Sequence, residues 1–307
     1  MILVTGSLAY DYLMKFSGHF NDHLDQKNKN ISVSFFAISN EKHFGGTAGN
    51  IAYSLSLLGV KPEIVSTAGN DFGDYIKHFE QCGIPAKNIK IVNEDITASA
   101  YVLTDLNNNQ ITTFYGGAML RAEEKWPSSF HPDLVIIAPT QLEKMVYHVK
   151  KCQKEKISYI FDPGQSLPLW GKEGLLDAIT KSKITIVNEF ELSMIVKTLK
   201  MKNEEVLKLC SNFIVTLGEK GSFLIEKGKK TLIKVAQCGE VVDPTGCGDA
   251  LRSGLLYGLE KGYSLEKACK FGSLVASYVI SNKATQKHKF KMTELKKRFL
   301  DEFGENL

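Results

Sequence analysis

The stretch VVDPTGCGDALRSG, residues 241 to 254, sets an aspartate directly after a Gly-Cys-Gly turn. Two apolar residues lead into the turn, and Leu251, Leu255 and Leu259 follow at the spacing of one helical face. Asp249 is thereby predicted in the first turn of a helix. Gly246 and Gly248 free the backbone before it from Cβ clashes, so several unpaired N–H groups can converge on one point and attract an anion. An aspartate in a first helical turn also stabilises the macrodipole without doing chemistry, and both readings stand at this point. HFGGTAGN, residues 43 to 50, is a second glycine-rich helix start. There Gly45 and Gly46 allow close approach of backbone to ligand, and Asn50 projects a polar side chain that is either functional or an ordinary solvent-facing residue. Neither a G-x-x-x-x-G-K-[ST] phosphate loop nor a G-x-G-x-x-G fingerprint occurs, which excludes the commonest nucleotide cradles.

The elements that must position these residues follow from periodicity. After residue 130 the chain alternates: DLVIIAP, a helix through EKMVYHVKKCQKEK, SYIFDPG, LLDAITKS, ITIVNE, another helix, and NFIVTLG. Strand and amphipathic helix in turn imply a mainly parallel sheet covered by helices on both faces. Earlier, Ile51, Leu55 and Leu58 mark one helical face that stops at Gly59, and EIVSTAG follows as a strand. Two regions break the pattern. ISVSFFAIS (31 to 39) and the pair SAYVLTD and QITTFYG (99 to 116) read as strands with no helix between, the pair joined by the turn LNNN. Together with YDYLMKF they predict a small separate sheet serving as a lid or subunit interface, with an edge extension of the main sheet as the alternative. The expected division is an α/β core over residues 1–10, 44–96 and 119–307, and a β lid over 11–43 and 97–118.

Composition sets the outer limits. A 307-residue chain that is 43% hydrophobic and 23% charged buries a sizeable core as an ordinary globular protein. Six cysteines, at 82, 152, 210, 238, 247 and 269, include no C-x-x-C pair, so neither a zinc site nor a disulfide framework is expected, and a reducing cytoplasm fits. The start MILVTGSLAYDYL carries no basic leader, and no run approaches the roughly 18 apolar residues of a membrane helix, so secretion and membrane insertion are not expected. KHKFKMTELKKRF (287 to 299) is locally basic, but without a recognition motif it reads as the solvated face of the last helix rather than a nucleic-acid surface.

GGTAGN early and DPTGCGDA late resemble the two signatures of the ribokinase-like (phosphofructokinase B type) carbohydrate and nucleoside kinases. GSLAYD (6 to 11) resembles that family's N-terminal substrate-binding strand end, VNEFE (187 to 191) its N-x-x-E element, and TLGEKGS (216 to 222) its nucleotide-binding strand and turn. The likeness spans nearly the full chain. Within the family, AGNDFGDY, NNQITTFYGGAM and FDPGQSLP are most similar to bacterial-type adenosine kinases, though these stretches are less specific than the two signatures.

The resemblance implies a ribokinase-like α/β fold with a β lid, and an ATP-dependent kinase that phosphorylates the 5′-hydroxyl of a nucleoside, adenosine first, in purine salvage. Asp249 would be the base, and the amides of Gly246, Cys247 and Gly248 would hold the charge on the transferring phosphoryl group. Asp11, Asn50, Gly45 and Gly46 would bind ribose hydroxyls, with Ser7 and Ser34 as weaker additions. Phe114 would stack on the base, and Gln165 would read its edge, although Ser166 stands where that group often has a second glutamine. Asn188 and Glu191 would organise Mg²⁺, with helix capping as the competing role for both. Thr216, Gly218 and Gly221 would line the ATP site, the glycines also reading as plain turn residues. Asp243 and Thr245 match one end of the K⁺ site that many members carry, while a K⁺ requirement here is not legible. Phe35, Phe36 and Tyr101 on the lid strands suggest a homodimer. Competing expectations are a sugar or other nucleoside kinase of the same family, a catalytically silent ligand-binding relative and, for want of a fingerprint, more remotely a dehydrogenase.

Overall fold

The computed structural model describes residues 1–23, 33–121, 124, 126, 127 and 130–307. In chain order the strands are β1 (Ile2–Thr5), β2 (Ala9–Phe16), β3 (Ala37–Gly45), β4 (Glu63–Gly69), β5 (Ile89–Val92), β6 (Ala98–Thr104), β7 (Gln110–Tyr115), β8 (Leu134–Ile137), β9 (Ser158–Phe161), β10 (Ile184–Asn188), β11 (Asn212–Thr216), β12 (Ser222–Glu226) and β13 (Lys229–Ile233). The helices are α1 (Thr47–Leu57), α2 (Gly73–Gln81), α3 (Leu142–Glu155), α4 (Lys172–Thr180), α5 (Glu189–Leu199), α6 (Asn203–Val206), α7 (Cys247–Glu260), α8 (Leu265–Val279) and α9 (Met292–Phe303).

Apolar strands flanked by amphipathic helices produce one large sheet in the order β13-β12-β11-β10-β9-β8-β1-β4-β5. It is parallel from β5 through β11 and closes with β12 and β13 in two antiparallel pairings. Because side chains alternate along a strand, each central strand feeds two cores. Ile2 and Val4 join Leu134, Ile136 and Ile214 with helices α1, α2, α7 and α8 on one face. Leu3 joins Val135, Ile137, Phe213 and Val215 with α3, α4 and α5 on the other. Both faces are thus covered, as continuous apolar strands require.

The remaining four strands form a separate sheet in the order β3-β2-β6-β7. The edge-extension alternative is therefore set aside. The strand expected over 31–39 begins later. Residues 31 and 32 lie outside the described residues, and pairing with β2 starts at Ala37. The reason is aromatic packing: Phe35 leaves the sheet to meet Phe16 and Phe20, with ring centroids 5.1 Å apart in each pair, while Phe36 is exposed. The β6–β7 turn closes on Asp105, whose carboxylate accepts the amides of Asn107 and Asn109.

Candidate active site

A cleft of about 670 Å³ opens where the parallel strands end and the second sheet overhangs them. Ser7 and Pro139 follow β1 and β8, Asp162 follows β9, and Asn188 and Thr216 end β10 and β11, so the floor is built from strand carboxyl ends. The roof is one face of the second sheet, centred on a single register row. Asp11 pairs with Ala100, and Ala100 pairs with Phe114, so all three side chains share a face. Phe114 is half-exposed there, and nothing in the described residues covers it.

Two helix starts face each other across this space. Gly46 and Gly246 cap α1 and α7 with φ of 84° and 83°, in the left-handed region that a side chain resists. A Cβ at Gly46 would also sit 2.6 Å from the Ser7 carbonyl, and one at Gly246 would sit 2.7 Å from the Thr285 methyl. Asp249 lies in the first turn of α7, and its Oδ2 accepts the Asn50 amide at 2.8 Å. Burial pushes the Asp249 carboxyl up to about 6 against the opposing pull of Arg252 and the Asn50 bond. Burial and the Asp249 and Asp243 charges push Asp11 up to about 7. A carboxylate raised toward neutrality while still ionised at pH 7.5 is suited to receive a proton.

At the α7 turn the amides of Gly246, Gly248 and Asp249 have no partner among the described residues, whereas the Cys247 amide turns back to the Pro244 carbonyl at 3.2 Å. The Cys247 thiol, held up at about 12 by burial and by the Asp243 and Asp249 charges, stays protonated. Asp243 lies outside the cleft lining, with Oδ1 taken by the Thr245 amide and Oδ2 by the Ala284 amide, while Thr245 itself lines the cleft.

Asn188 and Glu191 form a reciprocal capping box at the start of α5, each side chain accepting the other's amide at 2.8 Å, and both line the cleft. Burial and the Asp162 charge hold Glu191 above the usual carboxylate range. Glu191 Oε2 is engaged by the cap, which leaves one carboxylate oxygen for a ligand. Among the described residues no group of three His, Cys, Asp or Glu side chains could cage a metal. This donor set fits a magnesium ion carried by phosphates and waters, not one held by the protein alone.

The other expected residues divide between the cleft lining and its surroundings. Ser7 lines the cleft, but its carbonyl accepts the Ala48 amide at 3.0 Å and its hydroxyl accepts the Thr47 amide at 3.2 Å. Gly45 ends β3, and its carbonyl accepts the Tyr75 hydroxyl. Ser34 is exposed and outside the cleft lining, because the chain there has not yet entered the sheet. Gly218 and Gly221 shape the β11–β12 turn outside the lining, leaving Thr216 as the member of that group at the cleft. Gln165 lines the cleft with its side chain exposed, whereas Ser166 is buried and donates to the Thr140 carbonyl.

Sequence reasoning assigned no role to Arg252 or Asp162. Arg252 is buried in the cleft floor and forms an ion pair with Asp162, Nη2 donating to Oδ1 at 2.9 Å. Its Nη1 lies against Gly248, 2.9 Å from where a Cβ would stand. The available signal was spacing, since position i+3 from Asp249 shares its helix face.

The family model described as pfkB family carbohydrate kinase matches residues 16–290. A nucleoside kinase of Methanocaldococcus jannaschii is 34% identical over 288 residues, covering 93% of this chain and 92% of the relative. Among solved structures, a nucleoside kinase of Burkholderia thailandensis in complex with inosine matches with a TM-score of 0.88 at 32% identity, covering 100% of this chain and 99% of that one. The crystal structure of the Methanocaldococcus jannaschii nucleoside kinase, an archaeal member of the ribokinase family, matches with a TM-score of 0.87 at 31% identity, covering 98% of each chain.

Proposed function

Since the chain belongs to the pfkB family of carbohydrate kinases, with a ribokinase-like fold and the activity of a phosphotransferase acting on an alcohol group, we propose that it transfers the γ-phosphate of ATP to the 5′-hydroxyl of a nucleoside. The observation that carries this reading is the Asp11–Ala100–Phe114 row facing the turn that ends in Asp249. It pairs a carboxylate for sugar hydroxyls with an aromatic face for a planar base, which a free sugar would leave unused.

In this reading Asp249 takes the hydroxyl proton as the oxygen attacks phosphorus. The open amides of Gly246 and Gly248 meet the charge on the transferring group, and preorganised donors of this kind stabilise the transition state strongly. Arg252 fixes a positive charge behind the same turn, its orientation set by Asp162. Asp11 and Asn50 receive the ribose hydroxyls. Glu191 would face the waters of a magnesium ion, which would neutralise phosphate charge when bound; Thr216 and Asn188 would line the nucleotide end. Asp243 and Thr245 would remain the protein side of any K⁺ site. Two copies would pair through the second sheet, whose edge strand β7 is exposed along its length.

Adenosine is the acceptor to try first, with conversion to AMP returning a purine to the nucleotide pool. A second acceptor, inosine, is favoured by one observation: exposed Gln165 has no partner among the described residues and can turn either end of its amide to a 6-amino or a 6-oxo group. The test is ATP consumption with adenosine, inosine, ribose, fructose 6-phosphate and 2-keto-3-deoxygluconate. Nucleosides should give the higher kcat/KM, and Phe114→Ala should penalise nucleosides selectively. Faster turnover of any of those sugars overturns the nucleoside reading and leaves the family assignment standing.

A further inference from the structure

Behind Asn50 lies a buried polar chain whose direction is fixed from one end. The Gly45 carbonyl can only accept, so the Tyr75 hydroxyl donates to it, at 2.8 Å. The Tyr75 oxygen then accepts from Gln286 Nε2 at 2.6 Å, and the second hydrogen of that nitrogen goes to Asn50 Oδ1 at 3.0 Å. With its oxygen so occupied, Asn50 must present Nδ2 to Asp249, the bond of 2.8 Å described above. Gln286 Oε1 meanwhile faces His78 Nε2 at 3.0 Å, which requires the ring tautomer with hydrogen on that nitrogen. Burial lowers the affinity of His78 for a second proton, and the ring lies flat on Phe44, with centroids 4.2 Å apart and planes 7° apart.

We propose that Gln286 is a positioning residue for phosphoryl transfer: it locks the Asn50 amide so that its N–H, and never its oxygen, faces the Asp249 carboxylate. The loop that carries it is built for this placement. Thr285 donates to the Phe44 carbonyl at 2.6 Å, Ala284 donates its amide to Asp243, and Gln286 itself holds φ of 59°, in the left-handed region. Gln286, Asn50 and Tyr75 are 5%, 7% and 0% exposed, so no water competes freely for these bonds. Without Gln286 the Asn50 amide could rotate, and a carbonyl oxygen turned toward Asp249 would disfavour its ionised form.

The other charged or titratable groups that sense Asp249 are Arg252 on its own helix, Asp162 after β9, Asp11 on β2, Tyr75 on α2 and Cys247 beside the turn. Gln286→Met leaves all of them in place and changes no charge. The decisive measurement is the titration midpoint of the Asp249 carboxyl carbon by NMR in the wild type, Gln286→Met, Asn50→Ala and the double variant. Gln286→Met should raise the midpoint by about half a pH unit or more, and should add nothing once Asn50 is alanine. Tyr75→Phe, which releases the direction of the Gln286 amide, should shift it the same way by less, and serves if Gln286→Met does not fold. The acid limb of kcat/KM for nucleoside phosphorylation should move with the midpoint. That kinetic arm rests on the kinase reading, whereas the NMR arm stands without it. An unchanged midpoint in Gln286→Met, or an equal shift in the Asn50→Ala background, overturns the proposal; if Gln286→Met does not fold, an unchanged midpoint in Tyr75→Phe does so.

Discussion

The starts of α1 and α7 use the same backbone device for opposite ends. Each is capped by a glycine at a φ near 84°, and their first turns meet through Asn50 and Asp249. At α1 the Thr47 and Ala48 amides are spent on Ser7, tying the helix to the loop after β1. At α7 the Gly246 and Gly248 amides are left open toward the cleft, with Arg252 behind them. A glycine turn at a helix start therefore does not by itself make an anion site; what matters is whether the fold supplies an internal acceptor for its amides. At α1 the fold does, and the turn contributes stability. At α7 it does not, and the amides stay open at the cleft.

The largest expected contrast is kinetic. Asp249→Asn should lower kcat by about 10² to 10⁴, the usual worth of a positioned base, while the purified variant still melts cooperatively. In the wild type, kcat/KM should rise with pH through about 6, as the carboxyl that must be ionised loses its proton. Turnover of Asp249→Asn within a few-fold of wild type would reduce Asp249 to a helix-terminal charge.

Arg252→Met should be next, because it strands Asp162 as a buried charge, a change that typically costs about 3 to 5 kcal/mol of stability. Adding Asp162→Asn should restore the melting temperature but not kcat. Recovery of both would make the pair a purely structural contact.

Asp11→Ala removes two expected hydroxyl contacts, each worth about 1.5 to 3 kcal/mol to a charged acceptor, so the nucleoside KM should rise while the ATP KM holds. A large rise in the ATP KM alone would put Asp11 at the wrong end of the cleft. On the α1 side, Ser7→Ala removes one amide acceptor and should cost about 1 kcal/mol of stability with little change in kcat, which thermal unfolding and kinetics together would check.

Stability without ligand should also depend on pH. Asp249 and Asp11, at about 6 and about 7, both lie above the 3.8 of an unperturbed aspartate. The stability each contributes is present in full below that ordinary value and is lost as pH rises through the raised one. Asp11→Asn should therefore melt higher than wild type at pH 8, with the gap narrowing as pH falls and closing only near the ordinary 3.8. A gap that widens toward acid would reverse the sign of the Asp11 shift.

What the sequence determined by itself is what nearest neighbours control. Glycines at 46 and 246 start helices because left-handed φ is cheap only for glycine, and apolar alternation with 3.6-residue periods requires strands and helices in turn. The two signatures therefore announced both faces of the cleft, and Asp11, Asn50, Phe114, Gln165, Glu191 and Asp249 all line it. Only tertiary structure decided which polar groups were already spent. Asn50 reaches Asp249 across 199 positions of chain, and Gln286 reaches Asn50 across 236, distances at which local preference carries no information. The same holds for Asp243 and Ser7, whose acceptors are consumed by backbone amides, and for Gly218 and Gly221, which shape a turn outside the cleft lining. Charge state belongs to the fold as well, because a carboxyl is shifted by burial and by the neighbours that packing brings to it, and neither is written in the residues on either side.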